Sequence, residues 1–357
     1  MPLFCLLVLP VLITGCDTPP PQPAALPEEL VLHNWFDALP TSIMDQFTEE
    51  YGIKINYQGY ISYEEAVTNI QAGNIYDLVF IGTVNLGTLI EEGRLAKLSH
   101  GNLPNMRNIS ANFRDLVYDP NNSYSVPYTW GTTGILVRSD RMVEPLTRWS
   151  DLWDTRYMPV GIWDDMRTTI GFTLQSLGYS INSEEPIELA EAREKLLKLK
   201  AQSVFLEDYD LDTSAYALAD GDLNVAVGWA YDILTAAPLN PTIQYVIPKE
   251  GTILWGECIV IPSNSPNQAA AELFIDFLLR PEISAQYTNE TNYATTNDAA
   301  LSLVDQTILD SQVVFPKAEL LQHAEILLPL STEGVARYTE IWTEFIALDV
   351  SVDAVDG

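Results

Sequence analysis

The alternation of strand-like and helix-like segments between Leu30 and Gly93, with only short connections, constrains the fold more than any other feature of the chain. Residues 30–35 read as a strand; in TSIMDQFTEEYG, Pro40 can occupy the first helical turn and Gly52 can end the helix. A second strand is predicted over 53–60, a helix over 63–72, a buried strand over 76–81, and a helix over 84–92 closed by Gly93. This β-α-β-α-β-α order predicts an α/β fold: a mainly parallel sheet flanked by helices. Ligands of such sheets bind beyond the carboxyl ends of the strands, where Trp35, Asp37, Gly82 and Thr83 fall.

Further along, SYSVPYTWGTTGILV predicts two strands around a glycine-rich turn, and WSDLWD a short helix. Residues 160–163 lead into Asp164-Asp165-Met166-Arg167 and the helical run TIGFTLQSLG. A helix over 186–199 places Leu196, Leu197 and Leu199 toward a core and its charges outward. Helices are also predicted over 214–219 and 270–279. Ile261-Pro262 and Leu279-Arg280-Pro281 read as points where the chain passes between lobes.

The segment 221–262 carries two tryptophan/carboxylate pairs, Trp229 with Asp232 and Trp255 with Glu257. The first spacing suits one face of a helical turn, the second one face of a strand. Each pair is a flat aromatic wall beside a negative charge, which suits an organic cation: the ring face attracts an ammonium and the carboxylate accepts its N–H donors. Taken singly, either pair is better explained by a core tryptophan and a solvated acid.

Charge points the same way. The 357-residue chain has 49 acidic and 18 basic residues, a formal net charge of −31, and 47% hydrophobic residues. It is long enough for two domains and apolar enough to build cores. Its field repels nucleic acid and anionic lipid headgroups and concentrates cations, although salt adaptation also produces acidic surfaces. His33, His100 and His323 are too scattered for a metal site, and no catalytic motif or nucleophile–base pair is evident. The expectation is a chain that uses no metal or cofactor and is not an enzyme.

The first sixteen residues, MPLFCLLVLPVLITGC, are apolar but too short to span a bilayer and are interrupted by prolines, so they read as an export signal. LITGC resembles a bacterial lipoprotein cleavage box, with Cys16 as the lipidated residue, although no Lys or Arg precedes the apolar run. The proline-rich stretch 17–29 is an extended spacer of roughly 40 Å at about 3.1 Å per residue. After such processing Cys258 has no disulfide partner. The end of the chain, 348–357, is an acidic tail.

NWFDALP, YDLVF, YSVPYTWGTTGILV, WSDLW, DDMR, LGYS, GDLNVAVGWAYD, PKEG with LWGECIVIP, and FLLRP occur in this order. Over roughly 30–345 the chain resembles the spermidine/putrescine-binding proteins of bacterial ABC importers, with the putrescine type favoured. The resemblance implies a two-lobed periplasmic-binding-protein fold (type II) with the ligand cleft between lobes that close by a hinge. The implied lobes are 30–134 with 258–300, and 135–257 with 301–347. It further implies a monomeric, periplasmic, lipid-anchored receptor that captures a polyamine and delivers it to a permease. A sensory receptor for a membrane signalling partner, or an importer of another organic cation, are the alternatives.

Carried over residue by residue, the resemblance places Trp35, Asp37, Thr83, Asp165, Trp229, Asp232, Trp255, Glu257 and Tyr293 in the ligand site. Glu257 stands where the family usually has Asp, and Thr168 where relatives have a glutamate. Gly82 and Val84 replace a polar and an aromatic contact, and Phe36 and Ala38 replace small polar and tyrosine positions. Leu327 replaces the glutamine of spermidine-type members. Arg167, a cation beside a cation site, is expected to pair with Asp164 or Asp165.

Overall fold

The computed structural model describes residues 26–206 and 213–347. The export signal, Cys16, most of the spacer and the acidic tail lie outside the described residues. β1 (Glu29–Trp35) pairs in parallel with β2 (Lys54–Tyr60) along its whole length. Between them α1 (Thr41–Tyr51) stops at Gly52, whose φ of 72° is the left-handed turn that glycine supplies without strain. Pro40 sits one position earlier than predicted, at the N-cap. α2 (Tyr63–Gln71) starts where the Ser62 hydroxyl accepts the Glu65 N–H. β3 (Leu78–Gly82) is wholly buried, as the central strand of a covered sheet must be, and pairs with the other edge of β1. A 3₁₀ turn then leads into α3 (Leu86–Glu91).

The glycine-rich segment departs from expectation. β4 (Ser125–Arg138) is one strand of 14 residues, with no turn at its glycines. Gly131 and Gly134 serve close packing instead: a Cβ on Gly131 would overlap the Trp255 indole, and one on Gly134 would overlap the Val246 carbonyl and the Tyr245 ring.

The chain continues through β5 (Val160–Trp163), α4 (Met166–Gln175), α5 (Pro186–Lys200), β6 (Ser203–Leu206), α6 (Thr213–Asp220), β7 (Val225–Trp229) and α7 (Asp232–Leu239). β8 (Ile243–Val246) and β9 (Ile253–Val260) follow, then α8 (Gln268–Leu278), α9 (Pro281–Thr291), β10 (Ala294–Thr295), α10 (Gln306–Leu309), β11 (Glu325–Ile326) and α11 (Thr332–Ala347). The sheet order is β2-β1-β3-β9-β4-β7-β5-β6, with β8 and β10 on β4 and β11 on β9. Parallel pairs make up its two flanks, while the long β4–β9 pair joining them is antiparallel.

That central pair runs from one core to another. At one end Val126 and Ile259 pack with Leu30, Phe47, Phe80 and Phe274; at the other Ile135, Val137 and Ile253 pack with Trp149, Phe172, Leu196 and Phe345. The result is a two-lobed α/β architecture. Ile261, Leu279 and Ile283 all belong to the first core, so the prolines beside them interrupt elements within a lobe, and the passage between cores is made inside β4 and β9. Ala300, Val304, Ile308 and Val314 pack against Ala285 and Ala294, whereas Leu327 and the buried face of α11 join the second core. On α5, Leu196 and Leu199 are buried as the periodicity requires, together with Leu189 and Ala192, and Leu197 is half-buried.

Phe274 is fully buried and meets Phe47 edge-on at 4.6 Å. Phe274→Ala is expected to destabilise the first core by about 3–5 kcal/mol, read as a lower urea midpoint; an unchanged midpoint would show that this aromatic cluster does not carry that core.

Candidate binding site

Glu257 lies on β9 opposite Gly82 of β3 and Thr129 of β4, close to where the central strands pass between the cores. Only 7% of it is exposed. The Tyr63 hydroxyl donates to its Oε1 at 3.1 Å, and the Thr129 hydroxyl to Oε2 at 3.5 Å. No ion pair of the described residues involves it. Burial pushes its carboxyl up to about 7, although hydrogen bonds with Tyr63, Trp35 and Thr129 pull the other way.

Trp35 ends β1, half-buried, with its ring against Tyr60 at 5.0 Å and edge-on to Tyr63 at 4.9 Å. The Tyr57 hydroxyl donates to its carbonyl. Asp37 follows in an exposed turn at φ 55°, a left-handed position that Asp tolerates better than most residues. Phe36 is 59% exposed, and its ring covers Gly59, where a Cβ would overlap it. Thr83 is buried, and its hydroxyl donates to the Leu327 carbonyl at 3.4 Å. Its neighbour Val84 packs against the second core, so this turn of the first lobe touches the second.

Trp229 and Asp232 straddle the turn from β7 into α7 and do not share a helix. Asp232 is fully buried, and its Oδ2 accepts the Trp229 N–H at 2.8 Å. The tuck requires Gly228, where a Cβ would overlap that carboxylate. The Trp229 ring stacks on Trp163 at 5.5 Å and 25°. Asp165 caps α4: Oδ1 accepts the Thr168 N–H at 2.9 Å and Oδ2 the Thr168 hydroxyl at 2.7 Å. Threonine at 168 thus engages the acid beside it. A small cavity of about 10 Å³, bounded by Trp163, Asp165, Thr168 and Trp229, has room for one water.

Trp255 lies over Gly131 and meets Tyr293 edge-on at 5.9 Å and 78°. Tyr231 stacks on the same Tyr293 at 4.9 Å and 9°. Burial pushes the Tyr293 hydroxyl far above its ordinary range, and Tyr231, Glu257 and Asp232 add to the shift. Tyr293 therefore joins Trp255 to Tyr231, which stands between Trp229 and Asp232 in the chain.

Two groups result. Trp35, Thr83, Glu257, Trp255 and Tyr293 gather around β9, while Asp165, Trp229 and Asp232 gather at the ends of β5 and β7; Asp37 stays at an exposed rim. Arg167 does not pair with Asp164 or Asp165 as expected. It donates to Asn182 Oδ1 and the Leu328 carbonyl, both at 2.9 Å, and its guanidinium lies over the Tyr338 ring at 4.9 Å. Sequence reasoning missed Tyr63, Thr129 and Tyr231, whereas Trp163 is the core tryptophan its apolar setting suggests. Tyr231 stood inside GWAYD between two candidate residues, a signal that could have found it; Tyr63 carried none.

Residues 42–310 match the bacterial extracellular solute-binding protein family. The chain belongs to that family. This solute-binding protein is 33% identical over 301 residues to the spermidine/putrescine-binding periplasmic protein of Escherichia coli K12, covering 83% of this chain and 85% of that one. It is 30% identical over 362 residues to the putrescine/agmatine-binding protein of Pseudomonas aeruginosa PAO1, covering 95% and 97%. Its structure superposes with a TM-score of 0.80 on the spermidine/putrescine ABC transporter substrate-binding protein of Streptococcus pneumoniae, crystallised with calcium and HEPES. That pair is 29% identical, over 90% of this chain and 99% of the other. The two-lobed type II fold is thereby established. Among the described residues no helix is long and apolar enough to cross a membrane.

A carboxyl held at about 7 when folded, against an ordinary 4.5, binds more protons in the folded state between those values. Stability from the protonated form is therefore complete below the lower value and lost as pH rises through the upper one, by about 3 kcal/mol. Without ligand, the wild type should lose melting temperature from pH ~5 to ~8 relative to Glu257→Gln. Parallel curves for the two proteins would mean that Glu257 titrates as an ordinary acid.

Proposed function

We propose that this chain is an extracytoplasmic receptor that captures a polyamine, putrescine or spermidine, and hands it to an ABC permease. The observation that carries the reading is Glu257: a buried carboxyl with no ion-pair partner among the described residues, held by hydroxyls beside Trp35, Trp255 and Tyr293. A ligand ammonium supplies the charge that such an acid lacks, and the rings cover its methylenes. Glu257 takes one end of the diamine; Asp232 and Asp165 beside Trp229 serve the other; Thr83 supports the slot and Asp37 its mouth.

Micromolar affinity needs about 8 kcal/mol. Four buried methylenes give about 3 kcal/mol, and each charged hydrogen bond roughly 1.5–3 kcal/mol, so both terms are required. The names of the E. coli, Pseudomonas and Streptococcus relatives support the same ligand class. The apolar Leu327, buried in the second core, supports a short diamine.

The rest of the reading follows the resemblance: a non-catalytic periplasmic monomer, lipid-anchored through Cys16 after removal of the export signal, with no nucleic-acid partner. Its lobes comprise 30–134 with 258–300, and 135–257 with the C-terminal part. The packing of Ala300, Val304, Ile308 and Val314 on Ala285 and Ala294 favours a return to the second lobe after 314, later than the sequence suggests.

Thermal unfolding against diamines, longer polyamines, choline-like cations and amino acids tests the ligand. A true ligand raises the midpoint by the equivalent of about 2.7 kcal/mol at a hundred times its dissociation constant, and no shift with any polyamine overturns the reading. Glu257→Gln should weaken diamine binding by about 2–5 kcal/mol, measured by calorimetry; equal affinity would place Glu257 outside the contact.

A further inference from the structure

The Glu257 carboxylate is held by Tyr63, Trp35 and Thr129, all remote from it in sequence. Tyr63 opens α2, 194 positions away, and donates to Oε1 at 3.1 Å, whereas Thr129 stands at 3.5 Å, the outer limit of a hydrogen bond. Two features hold the tyrosine there. Gly82 leaves space for its ring, since a Cβ at 82 would come within 2.8 Å of Tyr63 Cε2. Trp35 meets the ring edge-on, at 73°. A glutamate has one more rotatable bond than an aspartate, so its carboxylate needs more restraint to present one fixed geometry.

We propose that Tyr63 is a positioning residue for ligand capture: its hydroxyl fixes one oxygen of Glu257 so that the other faces the ligand's ammonium, and Gly82 exists to admit the ring. The inference rests on the cation-binding reading and deepens it. Burial, with Glu257 itself, holds the Tyr63 hydroxyl well above its ordinary range, so it stays protonated and donates at every physiological pH. Among the described residues, the other titratable groups acting on or acted on by Glu257 are Tyr57 and Tyr60 of β2, Tyr128 of β4, Tyr287 of α9, Tyr293, and the Cys258 thiol. Burial raises every one of them, so all remain neutral while Glu257 titrates.

The test is Tyr63→Phe in the full chain, which keeps the ring and removes the donor. In ligand-free protein the Glu257 carboxyl, followed by carbon NMR, should titrate about one unit higher, because a hydrogen bond to the charged form is lost. Putrescine affinity at pH 7 should fall roughly 10- to 100-fold, and Tyr63→Phe added to Glu257→Gln should cost nothing more. Gly82→Ala, which displaces the ring and leaves the hydroxyl, should raise the titration in the same direction and serves if Tyr63→Phe fails to fold. An unchanged titration, or an equal loss of affinity in the Glu257→Gln background, overturns the proposal. Wild-type protein that binds no putrescine overturns the polyamine reading, while the ligand-free titration still decides whether Tyr63 sets Glu257.

Discussion

The arrangement of the site depends on a carboxylate buried, among the described residues, without an ion-pair partner at the join between two cores. An ionised acid in that position is costly unless a cation or several donors compensate it. Among the described residues the surroundings of Glu257 supply hydroxyls and ring edges but no Lys or Arg ion pair, and burial holds its carboxyl up at about 7. The strands that carry it explain why the cost is concentrated there. β4 and β9 span both cores, and Glu257 lies on β9 opposite Thr129, near where these strands pass from one core to the other.

Three glycines fit the site together. Gly82 admits the Tyr63 ring, Gly131 the Trp255 indole and Gly228 the Asp232 carboxylate. In each case the missing Cβ belongs to a strand and the guest is a candidate site residue or its support. Glycine weakens a strand through its entropy and lack of packing. The close approach of a functional side chain is what that weakness permits, and the loss is offset by aromatic contacts between Trp255 and Tyr293, Tyr293 and Tyr231, and Trp229 and Trp163.

The residues that the resemblance marks as departures from the family pattern have physical partners. Threonine at 168 occupies both oxygens of Asp165, valine at 84 packs into the second core, and phenylalanine at 36 shields Gly59. Arg167, whose charge conflicts with a cation site, is turned toward Asn182, Leu328 and Tyr338. The acidity of the chain adds a long-range field over these local devices.

The sequence by itself determined the alternation of strands and helices, the glycine stop at Gly52, the buried faces of β3 and α5, and the tryptophan/carboxylate pairs. Periodicity, caps and composition act over a few residues, so they can be read along the chain. What it misread was the segment around Gly131 and Gly134, where glycines looked like a turn because their reason, the Trp255 ring and the Val246 carbonyl, lies more than a hundred residues away. Only the tertiary structure decided that Asp232 would be tucked under Trp229 by Gly228, that Arg167 would face away, and that Tyr63 would hold Glu257 across 194 positions. Those outcomes turn on which side chains share a volume once two cores are joined by β4 and β9, and volume is a property of packing that no local pattern encodes.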